Sequence, residues 1–258
     1  MCENRAVASG YLTAESAAQP RRSEGDTATV RVTLDASAGC EPLEQRVVRF
    51  ACGRSKPRRL EGMQELLYVV SGWGLLDLDG RSFELAPDMG AYVAAGEGYE
   101  IENAGPEDLV VVAVTAPYED GASTSVRRTV RFADQPSLPA KPNREFRILV
   151  DKEVGCRDVT QFVGIIPPGR APMHSHTYDE VVYVIEGEGK LHLGGTERPL
   201  AEGSCIHLPP LVEHSLENTG ANNMRVLGVF YPQGDPASRA YEEDLRLTTG
   251  VEAEGGNA

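Results

Sequence analysis

Cysteine is scarce in this sequence: Cys2, Cys40, Cys52, Cys156 and Cys205 are odd in number, widely spaced and include no Cys-x-x-Cys pair. That pattern argues against a disulfide framework or a cysteine-rich zinc site and fits a reducing, cytoplasmic setting. No stretch reaches the ~18 apolar residues that a membrane helix needs. The N-terminus has no basic segment leading into an apolar run, so no secretory leader is expected. Basic residues are outnumbered, 25 Lys and Arg against 39 Asp and Glu, for a formal net charge of -14. So acidic a surface suits neither nucleic-acid phosphates nor anionic membranes. Its plain reading is solubility. Aromatic residues make up only 6% of the chain. A sustained 3.6-residue apolar period is also missing, which makes helix the exception.

Glycine and proline are plentiful, 27 and 17 residues, and they punctuate short runs rich in Val and Leu. Val47–Phe50, Leu66–Val70, Leu75–Leu78 and Leu109–Val114 are such runs, and they read as strands. Asp79-Gly80 and Gly194-Gly195 are the strongest hairpin turns, because these residues tolerate positive φ. Many short strands in regular succession indicate an all-β sandwich or barrel.

The pattern occurs twice. Glu65-Leu-Leu-Tyr-Val-Val-Ser-Gly72-Trp-Gly74 parallels Glu180-Val-Val-Tyr-Val-Ile-Glu-Gly187-Glu-Gly189, an offset of 180 − 65 = 115. That offset holds through Asn103 and Asn218, and through Pro117 and Pro232. Upstream it is 116, matching Gly39-Cys40 to Gly155-Cys156 and Gly53-Arg54 to Gly169-Arg170. One extra residue therefore lies in the first copy between Arg54 and Glu65. A register kept this long indicates two copies of one fold.

All five histidines, His174, His176, His192, His207 and His214, fall in the second copy. His174 and His176 stand at i and i+2, so on a strand both imidazoles point to one face. Glu180 follows after a turn and can meet them from the next strand, and His214 follows Pro209-Pro210. Imidazole and carboxylate donors suit one divalent transition metal, Fe, Mn, Ni, Cu or Zn, with positions left open for substrate. His207 and Tyr178 are candidate supports or pocket residues, and Met173 a candidate pocket apolar. His207 reads equally well as a hydrogen-bonded strand histidine. His192 is expected to be exposed in its hairpin, Cys205 to be a buried inert thiol, and Tyr183 to pack, because Tyr68 repeats it.

These residues resemble the two sequence motifs of the cupin superfamily. The first reads here as Gly169, His174-Ser-His176, Glu180 and Gly187; the second as Pro209, His214 and Asn218, with Leu211 where the motif has Gly. The resemblance implies two tandem cupin barrels (double-stranded β-helix or jelly roll), with His174, His176, Glu180 and His214 as ligands. The implied organisation is a flexible N-terminus over 1–25, a first barrel over 26–118 and a linker over 119–144. A metal-binding barrel over 145–235 and a C-terminal segment over 236–258 with a short helix complete it. At the ligand positions the first copy is read as Arg59, Glu61, Glu65 and Tyr99, so no metal is expected there, and this half is expected to serve packing and dimer contacts. The resemblance further implies a small-molecule metalloenzyme of the dioxygenase type, with Glu180 as proton acceptor. The alternatives are a non-oxidative isomerase, decarboxylase, lyase or aminohydrolase, and a metal-dependent binding protein without turnover. A homodimer is expected.

Overall fold

The computed structural model describes residues 10–118, 127–140 and 143–238. Strands dominate, and the helical elements among the described residues are four three-residue 3-10 turns. The expected C-terminal helix over 236–247 lies almost wholly outside the described residues, since 236–238 are turn and extended chain and the rest is not described.

Each copy forms one barrel from two antiparallel sheets. In the first, a six-stranded sheet faces a smaller one that carries the hairpin Gly74–Leu78 and Arg81–Leu85. In the second, a seven-stranded sheet faces a four-stranded one that carries the hairpin Gly189–Leu193 and Thr196–Leu200. Both hairpins turn where the sequence indicates. Asp79 and Gly80 take φ values of 48° and 83°, and Gly194 and Gly195 take 56° and 75°, the left-handed pair that matches strand twist.

The segments expected as a flexible N-terminus and a linker contain strands, and these strands are exchanged. Tyr11–Ala14 pairs with Ser204–Leu208 of the second barrel, whereas Thr129–Arg131 pairs with Met89–Val93 of the first. Each is followed by a 3-10 turn, Glu15–Ala17 and Phe132–Asp134. The duplication thus includes one short strand per copy that completes the opposite barrel and covers an edge that would otherwise present unpaired backbone groups.

The two large sheets pack against each other. Their shared core contains Val47, Tyr68 and Val112 from the first barrel and Val181, Tyr183 and Val229 from the second. Burying a side chain of this kind contributes about 1.5–3 kcal/mol. Tyr183 is a packing residue, as expected, and its hydroxyl bonds to Glu15 at 3.2 Å while Arg49 of the other barrel meets Glu15 at 2.6 Å. Tyr68 repeats the arrangement with Asp88 and Arg225. Alternate residues of the same strands face each barrel's interior. The first interior is filled by Leu67, Leu76, Val93, Ile101 and neighbours. The second is divided between an aliphatic group around Val182, Leu191 and Ile206 and an aromatic group of Phe146, Phe162, Tyr178 and Phe230. No helix among the described residues is long and apolar enough to cross a membrane.

Candidate metal centre

Between those two groups lies a cavity of about 80 Å³, lined in part by His174, His176, Glu180, His214, Arg144 and Phe162. His174 and His214 form an isolated antiparallel bridge, with His174 N–H donating to His214 O at 3.1 Å and His214 N–H to His174 O at 2.9 Å. The bridge sets two side chains side by side, and their rings lie 4.6 Å apart. His176, two residues on, presents its ring 5.0 Å from His174 and 5.2 Å from His214. One nitrogen from each of the three lies within 4.8 Å of the other two, the only such group of potential ligands among the described residues. All three histidines are buried.

Backbone carbonyls orient the rings. His174 Nδ1 lies 3.0 Å from Pro172 O, His214 Nδ1 2.9 Å from Val212 O, and His176 Nδ1 3.2 Å from Ser238 O. A carbonyl only accepts, so each Nδ1 carries the proton, and Nε2 is the atom that could ligate a metal. Fixing the tautomer from outside the coordination shell is what metal-binding histidines require. Three buried imidazoles packed this closely suit a divalent cation.

Glu180 lines the same cavity but stands outside the three-histidine group, with Oε2 3.6 Å from His176 Nε2. Tyr178 supports His176 from behind: its ring stacks at 4.9 Å and 14°, and its oxygen lies 3.0 Å from Nδ1. Met173 is half-buried against Arg170 and does not line the cavity. His207 is fully buried but belongs to the face of its strand that packs toward the other barrel, where it meets Asp179 at 2.9 Å. Its neighbour Leu208 faces the cavity instead, as the two-residue strand period demands. His192 is buried rather than exposed, because Glu217 from the adjacent strand covers it at 2.7 Å. Cys205 is buried, and burial pushes its thiol up to about 12, which suits an inert core residue.

Leu211 holds the glycine position of the second motif at φ 64°, and its N–H donates to His176 O at 2.7 Å. The first barrel has Gly96 there, bonded to Leu60 O at 2.9 Å. This pairing corrects the alignment of the silent site. Tyr99 faces Arg58 as His214 faces His174. The counterparts of His174 and His176 are therefore Arg58 and Leu60, not Arg59 and Glu61, and the inserted residue falls after Leu60. Arg59 points outward and pairs with Asp79 at 3.6 Å.

The silent barrel carries its own cation. Arg46 occupies the place of Phe162 and donates to Glu65 Oε1 at 2.6 Å, while the Tyr99 hydroxyl donates to Glu65 Oε2 at 2.7 Å. Glu65 is the counterpart of Glu180, and its side chain is only 2% exposed. Burial, then the adjacent Glu65 carboxylate, hold the Tyr99 phenol well above its ordinary value, so it remains a donor. A guanidinium and a phenol thus satisfy Glu65, whose counterpart Glu180 lines the three-histidine cavity of the second barrel. Arg46, Arg144 and Phe162 escaped the motif-based reading. The available signal was a glutamate retained without its histidines, since a buried carboxylate demands a partner.

A model of the cupin domain matches the chain twice, over residues 46–115 and 162–230. The oxalate-binding protein of Thermotoga maritima is 33% identical over 67 residues, covering 25% of this chain and 55% of its own length. The chain spans about half the length of the curated relatives it matches, from 43% to 56% for the first two. Among solved structures, the Ylba protein of E. coli superposes with a TM-score of 0.73 at 16% identity, covering 89% of this chain and 94% of that one. A mutant oxalate decarboxylase of Bacillus subtilis gives 0.70 at 16% identity, with 90% and 80% covered. At these identities the likeness to the solved structures is one of fold.

Proposed function

This chain belongs to the cupin family, and from that premise we propose that its second barrel is a one-metal centre acting on a small carboxylate substrate. The observation that carries the reading is the buried three-histidine group opening into a cavity that is both small and bordered by an arginine. The cavity of about 80 Å³ has room for on the order of half a dozen waters. That volume favours an acid of a few carbons over a bulky aromatic molecule, and for such an acid we take the non-oxidative alternatives as the first reading. Relatives named for oxalate point the same way.

A divalent ion held there would polarise a bound carboxylate or carbonyl oxygen as a Lewis acid. The other roles fall to the chain's own residues. His174, His176 and His214 would hold the ion through Nε2, and Glu180, 3.6 Å from His176 Nε2, would complete the donor set. Arg144 is half-buried, and one of its nitrogens donates to Leu216 O at 2.6 Å, which anchors the guanidinium at the cavity wall. From there it would bind a carboxylate of the substrate. Phe162 and Phe230, on strands of the same sheet as Arg144, line the cavity beside it and exclude water.

The test is metal analysis of the purified protein, followed by turnover of small mono- and dicarboxylates with an oxygen electrode in the vessel. The expected result is bound transition metal and product without net oxygen consumption. His176→Ala should lose the metal and keep the fold, and Glu180→Gln should weaken metal binding about 10–100-fold. Wild-type metal content in His176→Ala would refute the centre, and one oxygen consumed per substrate would restore the dioxygenase reading.

A further inference from the structure

The chain leaves the second barrel through Pro232 to Ser238, and this strap does more than exit. Asp235 organises it: Oδ1 accepts from Ala237 N–H at 2.8 Å, and the backbone oxygen accepts from Ser238 N–H at 2.9 Å. That closed turn aims two carbonyls back at the metal site. The Ser238 carbonyl meets His176 Nδ1 at 3.2 Å, and the Asp235 carbonyl receives the Tyr178 hydroxyl proton at 3.0 Å. With its proton so committed, Tyr178 offers His176 Nδ1 only an acceptor, at 3.0 Å. Gly234 lies directly against the Tyr178 ring, where a Cβ would come within 2.4 Å, and Thr160 Oγ1 donates to its carbonyl at 2.9 Å. Pro236 lines the cavity itself.

We infer that the segment Pro232 to Ser238 is an integral wall of the metal centre, a docked strap that positions His176 directly and through Tyr178. This rests on the metal-centre reading above and adds a coupling to it. A strap that improves the ligation geometry of His176 when docked must itself be held more tightly when the metal is bound, because coupling between two equilibria is reciprocal. His176 is the one ligand of the three whose orienting carbonyl comes from far along the chain; Pro172 and Val212 are each two residues from the histidines they hold.

The experiment measures Mn(II) affinity by chelator competition for the wild type, Tyr178→Phe and Asp235→Ala, alongside amide hydrogen exchange of residues 232–238 with and without Mn(II). Phenylalanine keeps the stacked ring and removes only the oxygen, so a merely packing role for Tyr178 would leave affinity unchanged. The expected result is at least tenfold weaker binding in both variants at unchanged secondary structure, with strap exchange slowed by metal in the wild type alone. Wild-type affinity in both variants, or strap exchange indifferent to metal, would overturn the coupling while leaving the centre in place. Failure of the wild-type protein to bind Mn(II), Fe(II) or Zn(II) at all would overturn both.

Discussion

Arg46→Ala isolates the effect of the cation that fills the silent barrel. It leaves the Glu65 carboxylate, 2% exposed against 20% for the arginine side chain, with the Tyr99 hydroxyl as its remaining partner in the site. Removing one member of a buried ion pair costs about 3–5 kcal/mol, because the other charge stays desolvated. The surviving bond from Tyr99 places the expected loss near the lower end, about 3 kcal/mol. In a chain of this size each kcal/mol moves the melting temperature by about 2–4 °C, so a drop of about 6–12 °C is expected. The double variant Arg46→Met with Glu65→Gln carries no buried charge, fills a similar volume and leaves Tyr99 an amide oxygen to donate to. It should recover most of the loss and melt within a few degrees of wild type. Calorimetry and far-UV circular dichroism would measure both, with metal content of the second barrel as a control that should not move. The reasoning fails if Arg46→Ala melts within a degree or two of wild type. It fails equally if the double variant is no better than the single one.

Two further outcomes follow from local geometry. Leu211→Gly should stabilise the metal-free protein by up to about 1 kcal/mol, the left-handed strain of about 1–2 kcal/mol at φ 64° less the added freedom of the unfolded chain; chemical denaturation would measure it, and a destabilised variant would count against the strain. Asp26 is held below its ordinary value: burial alone would raise it, but the N–H groups of Ala28 and Lys56 and the Arg58 guanidinium prevail. A depressed carboxylate stabilises the fold above the unfolded value of 3.8 and loses that contribution as the pH falls through the lower folded value. Asp26→Asn should therefore be about 1–3 kcal/mol less stable than wild type near neutral pH. That gap should close below about pH 4, and a pH-independent gap would contradict the assignment.

Much of the second barrel's chemistry was legible from spacing. Residues two apart in extended chain share a face, and His174 and His176 do so although no strand spans them and His174 is held by its isolated bridge to His214. Turn residues with left-handed freedom located the hairpins, and a duplicated register located the second copy. Placing His214 needed one long-range fact, its bridge to His174, which spacing alone does not give.

Other features depended on which strands met. The pairing of Tyr99 with Arg58 moved the silent-site alignment by one residue, and an alignment of letters cannot see on which side of an insertion a strand keeps its register. Arg46 reaches Glu65 across the intervening strand Leu109–Pro117, and Ser238 reaches His176 from 62 residues away. The strands Tyr11–Ala14 and Thr129–Arg131 each join the barrel of the opposite copy. Sequence determines local conformation and the periodicity of faces because those follow from backbone sterics. Partners across sheets are chosen by the packing of the whole chain, and only the tertiary structure shows that Arg46 and Tyr99 take up the Glu65 carboxylate.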